Sequence, residues 1–358
     1  MRTFQVELGA KSHPVHVGSA ILGETGRLAA EAGIARGRVA IITDSNVAGL
    51  YGAKVAGSIR AAGYDAATIE VPAGEPSKSL ATLALLYDRL VDAEIDRQGA
   101  IFALGGGVVG DLAGLAAATF LRGVALVQIP TTMVAQVDSA LGGKTAINHP
   151  RAKNLIGAFH QPSLIVADVD TMLTLPGREF REGLAEVIKY AAIMDAAMFD
   201  GLEREMPAIL ARDPERLAEI VEKSLRHKAF VVSSDEREGG LRKILNFGHT
   251  VGHALESSAG YGSYFHGEAV AIGMVAAAAL SRAYAGLSAS DAARLERLIR
   301  DAGLPTAMPP DWRGGEFTRA IRLDKKRAGD AVEFVLIDRI GHALTRKLAF
   351  ADIMLQLG

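Results

Sequence analysis

The chain has 358 residues, long enough for two domains with separate cores, and a net charge of −2 with the two signs interspersed, which excludes the basic footprint of a nucleic-acid binder. It has no cysteine, which excludes disulfide scaffolds, thiolate metal ligands and cysteine nucleophiles and suits a cytoplasmic protein. The N-terminal residues lack the apolar centre of a signal peptide, and the longest apolar run, residues 269–280, is too short to span a bilayer, so a soluble protein with no membrane partner is expected.

In chain order, residues 1–18 alternate like a strand hairpin. Residues 38–43 (RVAIIT) form a short β-branched run ending in Asp44-Ser45-Asn46, which can cap the helix that follows. Further strands are predicted at 68–71, 100–104, 124–129 and 164–167, with a helix over 79–93. Strands that are apolar throughout and alternate with helices predict a parallel sheet covered on both faces. Beyond Pro176-Gly177 the periodicity becomes helical over 179–194, 196–211, 214–233, 246–258, 266–286 and 289–302, and only 332–337 reads as a strand. The expectation is an α/β domain over residues 1–176 and an all-α domain over 177–358.

GGGVVGD follows the strand at 100–104 and opens a helix. Gly105, Gly107 and Gly110 fit the spacing at which missing side chains let backbone amides approach a pyrophosphate. The signal is weak alone, because no acidic residue stands about twenty positions on to meet a ribose. Asp44, ending an earlier strand, could serve instead; the plainer alternative is a glycine-rich, close-packed helix. Residues 119–161 combine glycines with Arg122, Lys144, Lys153, Asn154 and His160, a set suited to an anionic ligand such as phosphate, with Asp138 available for hydroxyl contacts.

In FREGLAEVIKY, Glu186 stands among apolar residues, a poor place for an unpaired charge. Either Lys189 pairs with it or it completes a metal site. Glu238 and Arg242 precede Asn246 by eight and four positions and face the same way if a helix extends back that far. Lys325 and Lys326 are the last concentrated charge. In NFGHTVGHALESSAGYGSYFHGE, His249 and His253 stand four residues apart on one helix face and His266 follows, which is the raw material of a transition-metal site needing a further group from elsewhere.

Together ALGGGVVGDLAG, PTTMVAQVDSALGGKTAINHPRAKNLIGAFHQP, GLAEVIKY, DEREGGLRKILNFGHTVGHALE and HGEAVAIGM resemble the 3-dehydroquinate synthase family of sugar phosphate cyclases, from about residue 40 to 337. The resemblance implies an NAD-binding α/β domain followed by an α-helical metal-binding domain. It implies Zn²⁺, with Co²⁺ as an alternative, on Glu186, His249 and His266, and moves His253 to the substrate pocket. Asp138, Lys144, Asn154, Lys189, Lys228, Glu238, Arg242 and Asn246 also fall on substrate positions, with Arg122 and one of Lys325 and Lys326 (Lys326 preferred) as further anion contacts. Gly106, Gly107, Val108, Asp111, Thr131, Thr132, Lys153 and the segment from Thr171 to Thr174 fall on cofactor positions, with Asp44, Asn46, Glu75, Lys78 and Lys144 beside them. Ala73 departs from the family's usual Asp. The implied reaction converts 3-deoxy-D-arabino-heptulosonate 7-phosphate to 3-dehydroquinate and phosphate, through transient oxidation by NAD, elimination, reduction and aldol closure. A cytoplasmic homodimer is implied, Arg122 reaching the neighbouring subunit's phosphate pocket. A cyclase acting on a carboxylate-free sugar phosphate and a metal-dependent polyol dehydrogenase are the competing expectations.

Overall fold

Aliphatic and β-branched runs at regular intervals build a seven-stranded sheet in the first half of the chain. The order is β1 (Arg2–Val6), β2 (His13–Gly18), α1 (Thr25–Glu31), β3 (Arg38–Asp44), the short α2 (Ser45–Val47), α3 (Ala53–Ala61), β4 (Asp65–Val71), α4 (Leu80–Asp92), β5 (Ala100–Gly105), α5 (Gly107–Thr119), β6 (Ala125–Pro130), β7 (Lys144–His149), β8 (Ala152–Phe159) and β9 (Leu164–Asp168). Across the sheet the strands run β1-β2-β9-β6-β5-β3-β4, parallel except for the β1–β2 pair. This computed structural model describes residues 1–258, 263–310, 312, 314–323, 327–328 and 331–357.

Successive strand residues face opposite sides, so the sheet has two cores. Ala40, Ile42, Ile101 and Ala103 pack with Leu83, Leu86, Leu112 and Leu115 of α4 and α5. Val39, Ile41, Phe102 and Leu104 pack with Leu28, Val55 and Ile59 of α1 and α3. The strand order reverses between β3 and β5, which are hydrogen-bonded neighbours, and such a switch point at the strands' carboxyl ends is where doubly wound sheets take ligands. Asp44 closes β3 there and Gly105 closes β5. The antiparallel β7–β8 hairpin is not among the expected strands, because its polar residues and the preceding Gly142-Gly143 read as a ligand loop.

The rest of the chain is mainly helical, as expected: α6 (Gly177–Met194), α7 (Ala196–Leu210), α8 (Pro214–Ser234), α9 (His249–Ser258), α10 (His266–Tyr284), α11 (Ala289–Asp301) and α12 (Gly315–Leu323). A small antiparallel sheet, β10 (Arg327–Ala328), β11 (Ala331–Arg339) and β12 (His342–Ala349), precedes α13 (Phe350–Leu357) and adds to the expected all-helical half. Charged HALTRKLA hides β12 in the sequence, whereas Phe334 and Leu336 of β11 pack with Leu280, Phe317 and Ile353. The chain divides into two units, Met1–Leu175 with Leu217–Ser233, and Pro176–Arg216 with Ser234–Gly358. Most of α8 joins the first unit because Glu222 pairs with Arg2 at 2.9 Å and Arg226 lies over the Phe4 ring at 4.5 Å. No helix among the described residues is long and apolar enough to cross a membrane.

Candidate active site

In the second unit Glu186 is fully buried on α6, with one oxygen facing both histidines that open the neighbouring helices. Its Oε1 lies 3.5 Å from His249 Nε2, at the start of α9, and 3.2 Å from His266 Nε2, at the start of α10. The other oxygen is ion-paired with Lys189, one turn along α6 and also buried. The pairing with Lys189 and the approach to both histidines therefore occur together, one on each oxygen. Donor atoms of Glu186, His249 and His266 lie within 4.8 Å of one another. Two imidazoles and a carboxylate form the donor set of a catalytic zinc site with a coordination position left open, so the residues present fit the ion.

His253 lies a turn beyond His249, with ring centroids 5.3 Å apart, and 6.1 Å from His266. It shares a second donor set with Glu256 and His266, which excludes Glu186. The spacing of four residues thus places His253 beside the triad without bringing it onto Glu186.

The triangle depends on backbone approach. A Cβ on Gly267 would stand 1.8 Å from Glu182 O of α6, and one on Gly273 would stand 1.9 Å from Gly248 O, just before α9. Gly248 itself takes a left-handed φ of 80°, turning the chain sharply into His249. Glycine at these contacts lets α10 lie against both ligand-bearing partners.

Burial drives the Glu186 carboxyl up, but Lys189, His249 and His266 outweigh it and hold the group well below the usual carboxylate range. Burial pushes His249 well below the ordinary imidazole value, with Glu186 opposing. For His266 burial also lowers the value, yet hydrogen bonds to Glu186 and Glu256 prevail and raise it to about 10. The ring lies between two carboxylates, Glu186 on the Nε2 side and Glu256 on the Nδ1 side.

Before α9 the chain runs as a 3-10 turn, Leu241–Asn246, so the predicted helix starts at His249 rather than at 246. Glu238, Arg242 and Asn246 are assembled by a folded loop instead of a continuous helix face. Asp235 accepts from the amides of Gly239, Gly240 and Arg242 at 2.9, 2.7 and 3.0 Å, and Asn246 Nδ2 donates to Glu238 Oε1 at 2.9 Å. Arg242 is buried and donates from Nη1 to Glu236 O at 2.5 Å.

In the first unit Gly106 sits at the N-cap of α5, where a Cβ would stand 2.9 Å from Thr132, and one on Gly107 would stand 3.2 Å from Ser139 Oγ. Bare backbone at a helix N-terminus is a cradle that fits a pyrophosphate, with Val108 in the same first turn. Lys78, buried, donates from Nζ to Asp111 Oδ2 at 2.7 Å and to Asn154 Oδ1 at 2.5 Å. Burial raises the Asp111 carboxyl, with Lys78 pulling against it. Asn148 completes this network, donating to Glu75 Oε1 at 2.7 Å and accepting from the Asn154 amide at 2.9 Å, while Asn154 takes a left-handed φ of 54°. The structure thereby joins Asn154, expected at the substrate, to Lys78 and Asp111, expected at the cofactor.

The Asp44 side chain caps α2, accepting from the amides of exposed Asn46 and of Val47 at 2.9 and 3.1 Å. Thr131 is buried and its hydroxyl has no partner among the described residues, whereas Thr132 Oγ1 accepts from the Ala135 amide at 3.3 Å. Thr171 is tied internally, to Asp168 O at 2.9 Å and to Gln136 Nε2 at 3.1 Å, and Thr174 meets Tyr51. Lys228 donates to Asp138 O and Oδ1 at 2.7 and 3.0 Å. Lys144 and Lys153 are exposed on β7 and β8. His160 Nε2 lies 2.9 Å from Val124 O. Arg122 is exposed and stands with Leu121 at left-handed φ values of 71° and 50°. Lys325 and Lys326 lie outside the described residues. Gln136, Asn148, Asp235 and Glu256 are missed by the motif reading; each is uncharged or sits inside an already recognised block, so only its partner reveals it.

Models of two sequence families match the chain, one described as 3-dehydroquinate synthase N-terminal over residues 68–182 and one as 3-dehydroquinate synthase C-terminal over 183–327. The chain is 48% identical over 355 residues to a 3-dehydroquinate synthase of Desulforamulus reducens, covering 99% of both. It is 49% identical over 354 residues to one from Pelobacter propionicus, covering 99% of this chain and 98% of that one. Among solved structures, a 2-epi-5-epi-valiolone synthase from Streptomyces hygroscopicus with NAD⁺ and Zn²⁺ bound superposes with a TM-score of 0.86 at 27% identity, over 98% of this chain and 96% of that one. A 2-deoxy-scyllo-inosose synthase complexed with carbaglucose-6-phosphate, NAD⁺ and Co²⁺ gives a TM-score of 0.87 at 25% identity, over 99% and 98%. A probable glycerol dehydrogenase from Sinorhizobium meliloti shares the fold alone, at 18% identity and a TM-score of 0.60.

Proposed function

The chain belongs to the 3-dehydroquinate synthase family, and from that premise we propose that it converts 3-deoxy-D-arabino-heptulosonate 7-phosphate to 3-dehydroquinate and phosphate. The observation that carries the reading is the convergence of His249 and His266 on one oxygen of Glu186, in a chain matched end to end by these synthases. The reaction combines transient oxidation of a ring alcohol, loss of phosphate, re-reduction and intramolecular aldol closure. Bound NAD⁺ supplies a hydride acceptor regenerated within each turnover, and a bound zinc or cobalt ion supplies a Lewis acid.

The chain's own residues bind, orient and hold charge. In the first unit the bare amides at Gly106, Gly107 and Val108 receive the cofactor's pyrophosphate, with Thr131, Thr132, Lys153 and the segment from Thr171 to Thr174 around it. Asp44 and Asn46 serve the ribose, and Glu75, Lys78 and Asp111 lock the network that fixes Asn154. Lys144 and Asn154 hold the substrate phosphate, Asp138 accepts from a hydroxyl, and Lys228 meets the carboxylate. In the second unit Glu186, His249 and His266 hold the metal and His253 meets the phosphate. Arg242, Lys326, Lys189, Glu238 and Asn246 meet the carboxylate and ring hydroxyls. A guanidinium and an ammonium for a carboxylate explain cations that a polyol dehydrogenase or a carboxylate-free cyclase would not use. We further place the protein in the cytoplasm as a homodimer, in which Arg122 completes the phosphate site of the partner subunit.

The test is incubation of the purified protein with NAD⁺, zinc and the heptulosonate phosphate. Phosphate should be released over many cycles of a catalytic quantity of NAD⁺ without NADH accumulating. NADH formed in step with product would support the dehydrogenase, and turnover only of a carboxylate-free sugar phosphate would support the other cyclases.

A further inference from the structure

We propose that Glu256 is a positioning residue of the metal centre: its carboxylate holds the Nδ1–H of His266, so that the ring presents Nε2 to the ion and binds it more tightly. The inference rests on the reading of Glu186, His249 and His266 as the ligands.

A histidine can offer a metal only the nitrogen that does not carry its proton, so something must fix the tautomer. For His249 the backbone does this. Its Nδ1 lies 3.1 Å from Phe247 O, an acceptor only, which places the proton on Nδ1 and leaves Nε2 aimed at Glu186. For His266 the corresponding group is a side chain. Its Nε2 lies 3.2 Å from Glu186 Oε1 and its Nδ1 lies 3.5 Å from Glu256 Oε2. Both rings are thus oriented alike, Nε2 inward and Nδ1 on an acceptor.

Helix geometry explains why Glu256 is in place. His249, His253 and Glu256 follow at i, i+4 and i+7 along α9, one continuous face, so the helix that supplies one ligand also supplies the brace for another. The side chain of Glu256 is 12% exposed, so the carboxylate that faces Nδ1 is held by packing rather than free in solvent. Glu182, a further acid near His266, accepts from the Gly267 amide at 3.2 Å. A carboxylate acceptor also makes the imidazole a stronger donor than a carbonyl would.

The test measures zinc affinity of the metal-stripped full chain by competition with a chromophoric chelator. Glu256→Ala should bind zinc about 10- to 100-fold more weakly than the unaltered protein, and Glu256→Gln, which keeps an acceptor without charge, should lose less. His253→Ala should retain the unaltered affinity, and His249→Ala should lose zinc altogether. Far-UV circular dichroism and the metal-free melting point control for folding; should Glu256→Ala not fold, the isosteric Glu256→Gln carries the comparison. Unaltered zinc affinity in the folded Glu256 variants overturns the inference. So does an equal loss in His253→Ala, which would make His253, Glu256 and His266 a direct ligand set. Zinc binding by His249→Ala as tight as in the unaltered chain would instead overturn the ligand assignment itself.

Discussion

The carbonyl oxygen of Gly248 lies 1.9 Å from where a Cβ on Gly273 would stand, so α10 rests directly on the backbone that leads into His249. Gly273→Ala must push the two segments apart, and His266 moves with α10. Overpacking of this kind costs about 1–3 kcal/mol, with the larger value expected where backbone meets backbone. Denaturant unfolding should show that loss, and zinc titration should show weaker binding. An unchanged midpoint with unchanged zinc affinity would mean that the contact does not set the triad.

Lys78 neutralises Asp111 inside the first unit while holding Asn154. Replacing it with Met leaves a largely buried carboxylate without its cation, a change that costs up to about 3–5 kcal/mol. Lys78→Met should therefore be much less stable than Lys78→Met/Asp111→Asn, in which the stranded charge is gone. Urea midpoints check the order of the two; equal midpoints would show that the ion pair contributes little.

Asp235 organises the loop bearing Glu238 and Arg242. Burial nudges its carboxyl upward, but the amides of Gly240, Gly239 and Arg242 outweigh that and hold it below the usual carboxylate range. A depressed folded-state pKa contributes stability above the unfolded value that is lost as pH falls through the folded one. Hydrogen-exchange protection of the Gly239, Gly240 and Arg242 amides should hold at neutral pH and fall below about pH 4, after correction for intrinsic rates. Asp235→Ala should show the unprotected pattern at every pH. Protection that survives in that variant would show that the carboxylate is not what folds the loop.

Arg122 follows a small-residue helix at a strained, exposed corner, and its side chain makes no hydrogen bond or ion pair among the described residues. If it serves the partner subunit's phosphate site, mixing inactive Arg122→Ala with inactive His249→Ala under subunit exchange should restore activity. Each mixed dimer then has one doubly damaged site and one intact site, capping recovery at about a quarter of full activity for random exchange of equal amounts. A mixture that stays inactive while mixed dimers are demonstrably present would place Arg122 at its own subunit's site.

The sequence by itself determined the parallel sheet and the helices, because both are written in local periodicity: continuous apolar runs such as RVAIIT for strands and i, i+3, i+4 spacing for helices. It likewise placed His249 and His253 on one helix face. Which of the two shares a donor set with Glu186 was open to spacing, since Glu186 is 80 residues from His266 along the chain. Only the tertiary structure brought Glu186 to the starts of α9 and α10, through the close approaches at Gly267 and Gly273, and only there does Glu256 face His266 Nδ1 at 3.5 Å. The same holds for Lys78, Asp111 and Asn154, which lie in separate motifs yet share hydrogen bonds around one ammonium. Local patterns encode secondary structure because backbone geometry repeats over a few residues; a site needs side chains from distant segments, and packing alone sets their distances.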